Sequence, residues 1–168
     1  MKQVILAVTL SALAGCASVS GVDGQSKVGT ILIPDNAVVC VVYPADGQFN
    51  GEVYRSSGVK VGEVIFKSVP KKFSPVVVEN EQNCESNYLL TSEILEYENR
   101  ATGWSGKPDK IKVKVIASNP QSKELSTFTY SADTNVATSA FFEWGNPAPY
   151  KLLGSGFTKQ VVDLLDSQ

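Results

Sequence analysis

Residues 110–117 constrain the fold of this chain more than any other stretch. Lys110, Lys112 and Lys114 alternate with Ile111, Val113, Val115 and Ala117. A period of two sends every apolar side chain to one face and every lysine to the other, the pattern of a strand with one face in a core and one in water. Such a strand needs neighbours. Residues 88–99 read as the second arm of a long antiparallel hairpin, with Glu96 and Glu98 on one face and placed to pair with Lys112 and Lys114. Residues 123–130 continue the meander after the Asn119-Pro120 turn. The stretch 131–149 reads as irregular and aromatic.

The first half follows a different pattern. Residues 37–43 (Ala-Val-Val-Cys-Val-Val-Tyr) are continuously apolar and β-branched, which predicts a strand covered on both faces, as in a parallel sheet. The folded part begins near Val28, and residues 30–33 form a short apolar run stopped by Pro34, a candidate edge strand. A helix is expected from Ser57 to Val69, with Ser57 as N-cap and with Val61, Val64, Ile65 and Val69 on one face. Residues 75–79 supply the next strand, so 37–79 reads as a βαβ unit. Residues 150–166 read as an amphipathic helix with Leu153, Phe157, Val161, Leu164 and Leu165 turned inward. The expected fold class is α/β: a small mixed sheet built from a βαβ unit followed by an antiparallel meander, with a C-terminal amphipathic helix.

The N-terminus carries an address. Lys2 precedes the apolar run 4–12, and Leu13-Ala14-Gly15-Cys16 follows. A basic head, a short apolar run and small residues before a cleavage point describe a secretory signal, too short to span a bilayer. Its ending resembles the bacterial lipobox, in which the cysteine is lipidated and becomes the first mature residue. The expected organisation is a signal peptide over 1–15, the lipidated Cys16 with a flexible tether to residue 27, and a periplasmic α/β domain over 28–168. Ala17, where an aspartate would resemble the inner-membrane retention signal, directs the chain by that resemblance to the outer membrane, facing the periplasm. Removing residues 1–15 leaves 153 residues with 14 basic and 17 acidic side chains. A weakly acidic domain has no electrostatic case for binding nucleic acid.

The sequence contains no histidine. This removes the Ser-His-Asp and Cys-His arrangements and the commonest general base at neutral pH. Gly154-Ser155-Gly156 is not a nucleophile elbow, since Gly-x-Ser-x-Gly is absent. Glu93, Glu96, Glu98 and Asp109 contain enough carboxylates for a glycosidase pair, but a lysine-paired strand surface accounts for the three glutamates more simply. No stretch offers the spaced oxygen ligands of a calcium loop, and no metal or cofactor is expected. In an oxidising compartment Cys40 and Cys84, the two cysteines of the domain, predict a disulfide; two buried thiols are the other reading.

Two segments carry a family resemblance. Tyr54-Arg55-Ser56-Ser57-Gly58 precedes the first helix, and Arg100-Ala101-Thr102-Gly103-Trp104-Ser105-Gly106-Lys107 forms the hairpin tip. Together they resemble the Tyr-x-x-Ser-Gly and Arg-Ala-Thr-x-Trp-Ser-Gly-Lys pattern of a proteobacterial lipoprotein family carrying a domain of unknown function. The resemblance covers roughly residues 30–166 and departs from the pattern over 134–146, where a Gly-rich segment is expected. It implies an envelope lipoprotein with a small α/β domain and brings no activity with it.

Trp104, flanked by Arg100 and Lys107, is the candidate contact site, because interfaces lean on Trp and Arg; the other reading folds the indole back on the sheet. The expectation is a non-enzymatic interaction or envelope-assembly accessory, bound to the membrane through Cys16 and to an envelope protein through Arg100, Trp104 and Lys107. The rival is a binding module for a small ligand or glycan, with Phe141, Phe142, Trp144 and Tyr150 as its shelf. Cover for the core is the simpler reading of those four rings.

Overall fold

The computed structural model describes residues 20–27, 33–84, 88–99, 109–118, 124–133 and 148–166. In chain order these form β1 (Ser20–Lys27), β2 (Val38–Val42), β3 (Gln48–Phe49), β4 (Glu52–Val53), α1 (Ser57–Ser68), β5 (Ser74–Val78), β6 (Tyr88–Glu98), β7 (Lys110–Ser118), β8 (Glu124–Asp133) and α2 (Ser155–Leu165). Single 3-10 turns at Glu81–Asn83 and Pro149–Leu152 punctuate the connections. Six strands make one mixed sheet in the order β1-β8-β7-β6-β2-β5, and β3 pairs with β4 in a small separate ribbon. β2 runs parallel to both β5 and β6, while β6, β7, β8 and β1 form an antiparallel set. The βαβ unit followed by a meander is therefore present as the sequence predicts.

One face of the sheet carries the core. Ile111, Val113, Val115 and Ala117 of β7 are buried, as the alternation requires, together with Phe128 and Tyr130 of β8 and Val39 and Val41 of β2. The two helices cover them with Val61 and Ile65 from α1 and Phe157, Val161, Leu164 and Leu165 from α2. Phe157 is fully buried, edge-on to Phe128 and Tyr130 with ring centroids 5.7 and 5.4 Å away. Edge-to-face pairs of this kind add about 1 kcal/mol each beyond the area they bury. Val64 is partly buried, and Lys60, Glu63 and Lys67 remain exposed on the outer side of α1. The inward set expected for the C-terminal helix is likewise buried.

Several expectations need correction. Residues 20–27, read as part of a tether, are an edge strand. Polar and glycine-containing, β1 is held by its backbone ladder with β8 from Ser20↔Ala132 to Lys27↔Ser126, with an irregularity at Val22/Gly24. Strand β8 continues to Asp133, so 131–133 are not irregular. The C-terminal helix starts only at Ser155; a 3-10 turn precedes it and Gly154 separates the two. Ser57 is not the N-cap of α1. Ser56 occupies that position with a left-handed backbone (φ 66°), and Ser57 is the first helical residue. The glutamates also pair in another register: Glu93 lies opposite Lys114, Glu96 opposite Lys112 and Glu98 opposite Lys110. Leu95 is the extra residue of a bulge between Ile94 and Glu96. Two residues facing one shift the alternation and put Glu93 on the same face as the other two. Of the apolar run before Pro34, Ile33 packs against the core and 30–32 fall outside the described residues.

Candidate functional site

The register places Ser20, Ala132, Ile111 and Tyr97 in one row across four strands. The most unusual chemistry of the described chain gathers at this end of the sheet, and it begins with a carboxylate. Asp46 lies in the loop after β2. Its Oδ1 accepts the Gly58 N–H at 2.8 Å and its Oδ2 the Ser56 N–H at 3.1 Å. An acidic group from another loop thus satisfies the first amides of α1 and complements the positive end of its dipole. The Ser57 hydroxyl lies 3.5 Å from Asp46 and accepts the Gly47 N–H at 2.8 Å. Loop and helix meet so closely that a Cβ on Gly58 would sit 2.2 Å from the Pro44 carbonyl oxygen. Only glycine fits there.

The same loop packs on the hairpin. A Cβ on Gly47 would fall 2.5 Å from the Tyr97 Cβ, so the backbone at Gly47 lies directly on Tyr97. The Tyr54 N–H donates to the Gly47 carbonyl at 2.9 Å, and the Tyr54 ring lies against Tyr97 at 5.3 Å between centroids. Asp109, the residue before β7, is 1% exposed in this neighbourhood. Tyr54, which opens the first segment of the family resemblance, therefore lies against Tyr97 of β6; the second segment, 100–107, is outside the described residues.

Burial pushes the Tyr97 phenol up to about 12, with the charge of Asp109 and the neighbouring Tyr150 and Tyr54 adding to it and a hydrogen bond to the Tyr150 backbone opposing it. The Tyr54 phenol is raised by burial, then by the charge of Glu52 and a hydrogen bond with it, then by Asp109. Both are neutral phenols at physiological pH, able to exchange hydrogen bonds but not to act as bases. Among the described residues no group of three or more His, Cys, Asp or Glu side chains is placed to hold a metal ion. Tyr97 and Asp109 are buried and Tyr54 packs against the Tyr97 ring, so the cluster fixes the strand residues on either side of 100–108.

Of the residues expected from sequence, Cys40 and Cys84 are bonded to each other, with Cα atoms 5.9 Å apart. The bond joins β2 to the segment leading into β6. Cys16, Arg100, Trp104 and Lys107 lie outside the described residues, as do Phe141, Phe142 and Trp144. Tyr150 is partly buried against the core with the Lys60 ammonium 5.3 Å from its ring centre, which makes it part of the wall. Ser155, of the Gly-Ser-Gly sequence, opens α2. Asp46 and Tyr97 had not been picked out. An Asp-Gly pair in a sequence signals only a turn, and a tyrosine in a strand reads as core.

The site thus belongs to a mixed-sheet α/β domain whose distinctive residues gather at one sheet end. Comparison with solved structures finds this fold in PelC from Paraburkholderia phytofirmans, which forms a dodecamer. One PelC structure aligns with a TM-score of 0.56 at 9% identity over 83% of this chain and 98% of that one. A point variant of the same protein aligns at 0.53 and 12% identity over 80% and 96%. A Xanthomonas campestris protein of the DUF330 family is also similar, with a TM-score of 0.47 and 16% identity over 81% and 86%. At these identities the likeness is one of fold. No protein-family model matches the chain. No curated protein matches it either.

Proposed function

We propose that this chain is an outer-membrane-anchored periplasmic lipoprotein with a non-enzymatic role, an interaction or assembly accessory of the cell envelope. The observation that carries the reading is the convergence of Tyr54, Tyr97 and Asp109 at the foot of the residue 100–108 tip. These residues hold the chain on either side of 100–108 in place, and a chain without histidine lacks the commonest general base at neutral pH. The sequence around Cys16 supports the anchor. None of the helices among the described residues is long and apolar enough to cross a membrane, and in this reading the lipid on Cys16 holds the chain. The fold shared with PelC, itself a dodecamer, supports a part in an assembly.

Arg100, Trp104 and Lys107 make the contact with an envelope protein. Crosslinking in intact cells from a photoreactive residue beside Trp104, with and without Trp104→Ala, tests this. A discrete adduct that falls about tenfold on truncation, the cost of a modest hot spot, is expected. Unchanged capture by the variant contradicts the assignment.

A further inference from the structure

The valines of β5 lie bare at one edge of the sheet. Val76 and Val77 point to opposite faces, yet each is 46% exposed, and Val38 of the neighbouring β2 is 43% exposed. A half-bare apolar strand at a sheet edge is a template for another strand. We propose that β5 pairs antiparallel with β5 of a second copy of this chain across a two-fold axis at Val77, joining the two sheets into one.

The backbone of β5 sets the register. It is the last strand of its sheet, with β2 on one side and no strand on the other among the described residues. The Ser74 N–H donates to the Ala37 carbonyl at 2.9 Å. In a parallel ladder the backbone groups of alternate residues turn to opposite sides, so Ser74, Val76 and Val78 face β2 while Pro75 and Val77 face outward. Proline has no N–H to give. Within β5, Val77 alone therefore presents both an outward donor and an outward acceptor. Two Val77 residues set opposite each other use both, each N–H reaching the other's carbonyl. In that register Val76 of each copy lies opposite Val78 of the other, and the bare valines cover one another. Pro75 comes opposite Glu79, where its carbonyl still accepts an N–H.

The charges select the partner. Lys71 and Lys72 precede the strand, and Glu79 and Glu81 follow it. Lys72 pairs with Asp166, whereas Lys71, Glu79 and Glu81 are exposed. An antiparallel copy lays the basic end of one strand along the acidic end of the other, on both sides of the axis. A parallel copy would set like charges together. The segment is thus self-complementary, as an interface across a two-fold axis requires.

Disulfide crosslinking of the full chain in intact cells tests the register. Two Val77 Cα atoms sit about 5.5 Å apart in such a pair, within disulfide range. Two Val76 or two Val78 residues are diagonal neighbours about 7–8 Å apart, outside it. Val77→Cys is expected to give about tenfold more linked dimer than Val76→Cys or Val78→Cys alone, read by non-reducing gel and intact mass. Coexpressing Val76→Cys and Val78→Cys in separate copies should restore the link, a check that leaves Val77 untouched. The unaltered chain, carried alongside, sets the background from its own cysteines. Equal linking at 76, 77 and 78, no linking in either arrangement, or an adduct whose mass is not twice that of the chain overturns the pairing. None of these outcomes bears on the envelope contact proposed for Trp104.

Discussion

The two ends of the sheet are held by different means. At the far end, away from the hairpin tip, the fold is stapled. The Cys40–Cys84 disulfide ties β2 to the approach to β6, Lys72 pairs with Asp166 beyond the end of α2, and the Asn36 N–H donates to the Lys72 carbonyl at 2.7 Å. At the near end there is no covalent link among the described residues. Asp46 caps α1 from a distant loop, Ser56 adopts a left-handed backbone, the Tyr54 and Tyr97 rings meet at a tilt, and Asp109 is buried. Staples stabilise a fold without regard to what surrounds it. Polar groups buried together are costly to arrange and occur where chemistry or contact needs them. The contrast separates an end held by a covalent bond from one held by buried polar and aromatic contacts; the proposed function places recognition beside the second.

Removing the staple should have the largest effect on stability. Cys40→Ser opens a covalent loop with a sequence separation of 44 residues. In the chain-entropy model this costs about 4 kcal/mol of unfolding free energy. Denaturant titration measures it, and capture of the envelope partner below the transition should stay at the level of the unaltered chain. Lost capture in a variant that remains folded would break the division between the ends.

A smaller effect should come from pH at the near end. The Tyr97 phenol is raised to about 12 from the ordinary 10, so the folded state holds its proton more tightly than the unfolded one. The associated stability is complete below pH 10 and is lost as pH rises from 10 through 12, on the order of 2 kcal/mol for this buried group. Burial raises Tyr54 and Tyr43 in the same direction. Unfolding free energies across this window should fall, and Tyr97→Phe should flatten the fall. An equal slope in the variant would remove Tyr97 from the account.

The smallest of the three concerns the cap. Asp46→Ala leaves the Ser56 and Gly58 amides without their acceptor and should cost about 1–2 kcal/mol. Asp46→Asn, which keeps an acceptor oxygen, should cost less. If the two variants lose the same stability, the charge at the helix N-terminus outweighs the hydrogen bonds, and the balance of forces at the near end changes accordingly.

The strongly patterned parts of the fold were legible in the sequence. Period-two alternation in residues 110–117 and the apolar stripes of both helices each point to one arrangement, which the structure contains, and of the two readings of the domain cysteines it contains the disulfide. The misread parts share a cause: their stability comes from groups distant in sequence. β1 has no apolar pattern and pairs because β8 offers it an open backbone edge. Asp46 supplants Ser57 in capping through hydrogen bonds 10 and 12 residues away. The Leu95 bulge sets Glu96 opposite Lys112 and Glu98 opposite Lys110, a register no local pattern encodes. Gly154 breaks what periodicity alone reads as one helix. At the candidate site the motif residue Tyr54 was visible, but its partner Tyr97 became recognisable only when the fold brought the two rings together.

The claim that supports the proposed function is a lipid on Cys16, and intact mass spectrometry of the mature chain extracted from bacterial membranes tests it most directly. The account predicts a polypeptide beginning at Cys16 and carrying a diacylglycerol thioether, with that mass lost in Cys16→Ser. A mature chain that begins elsewhere, or that begins at Cys16 with no lipid mass, would contradict it.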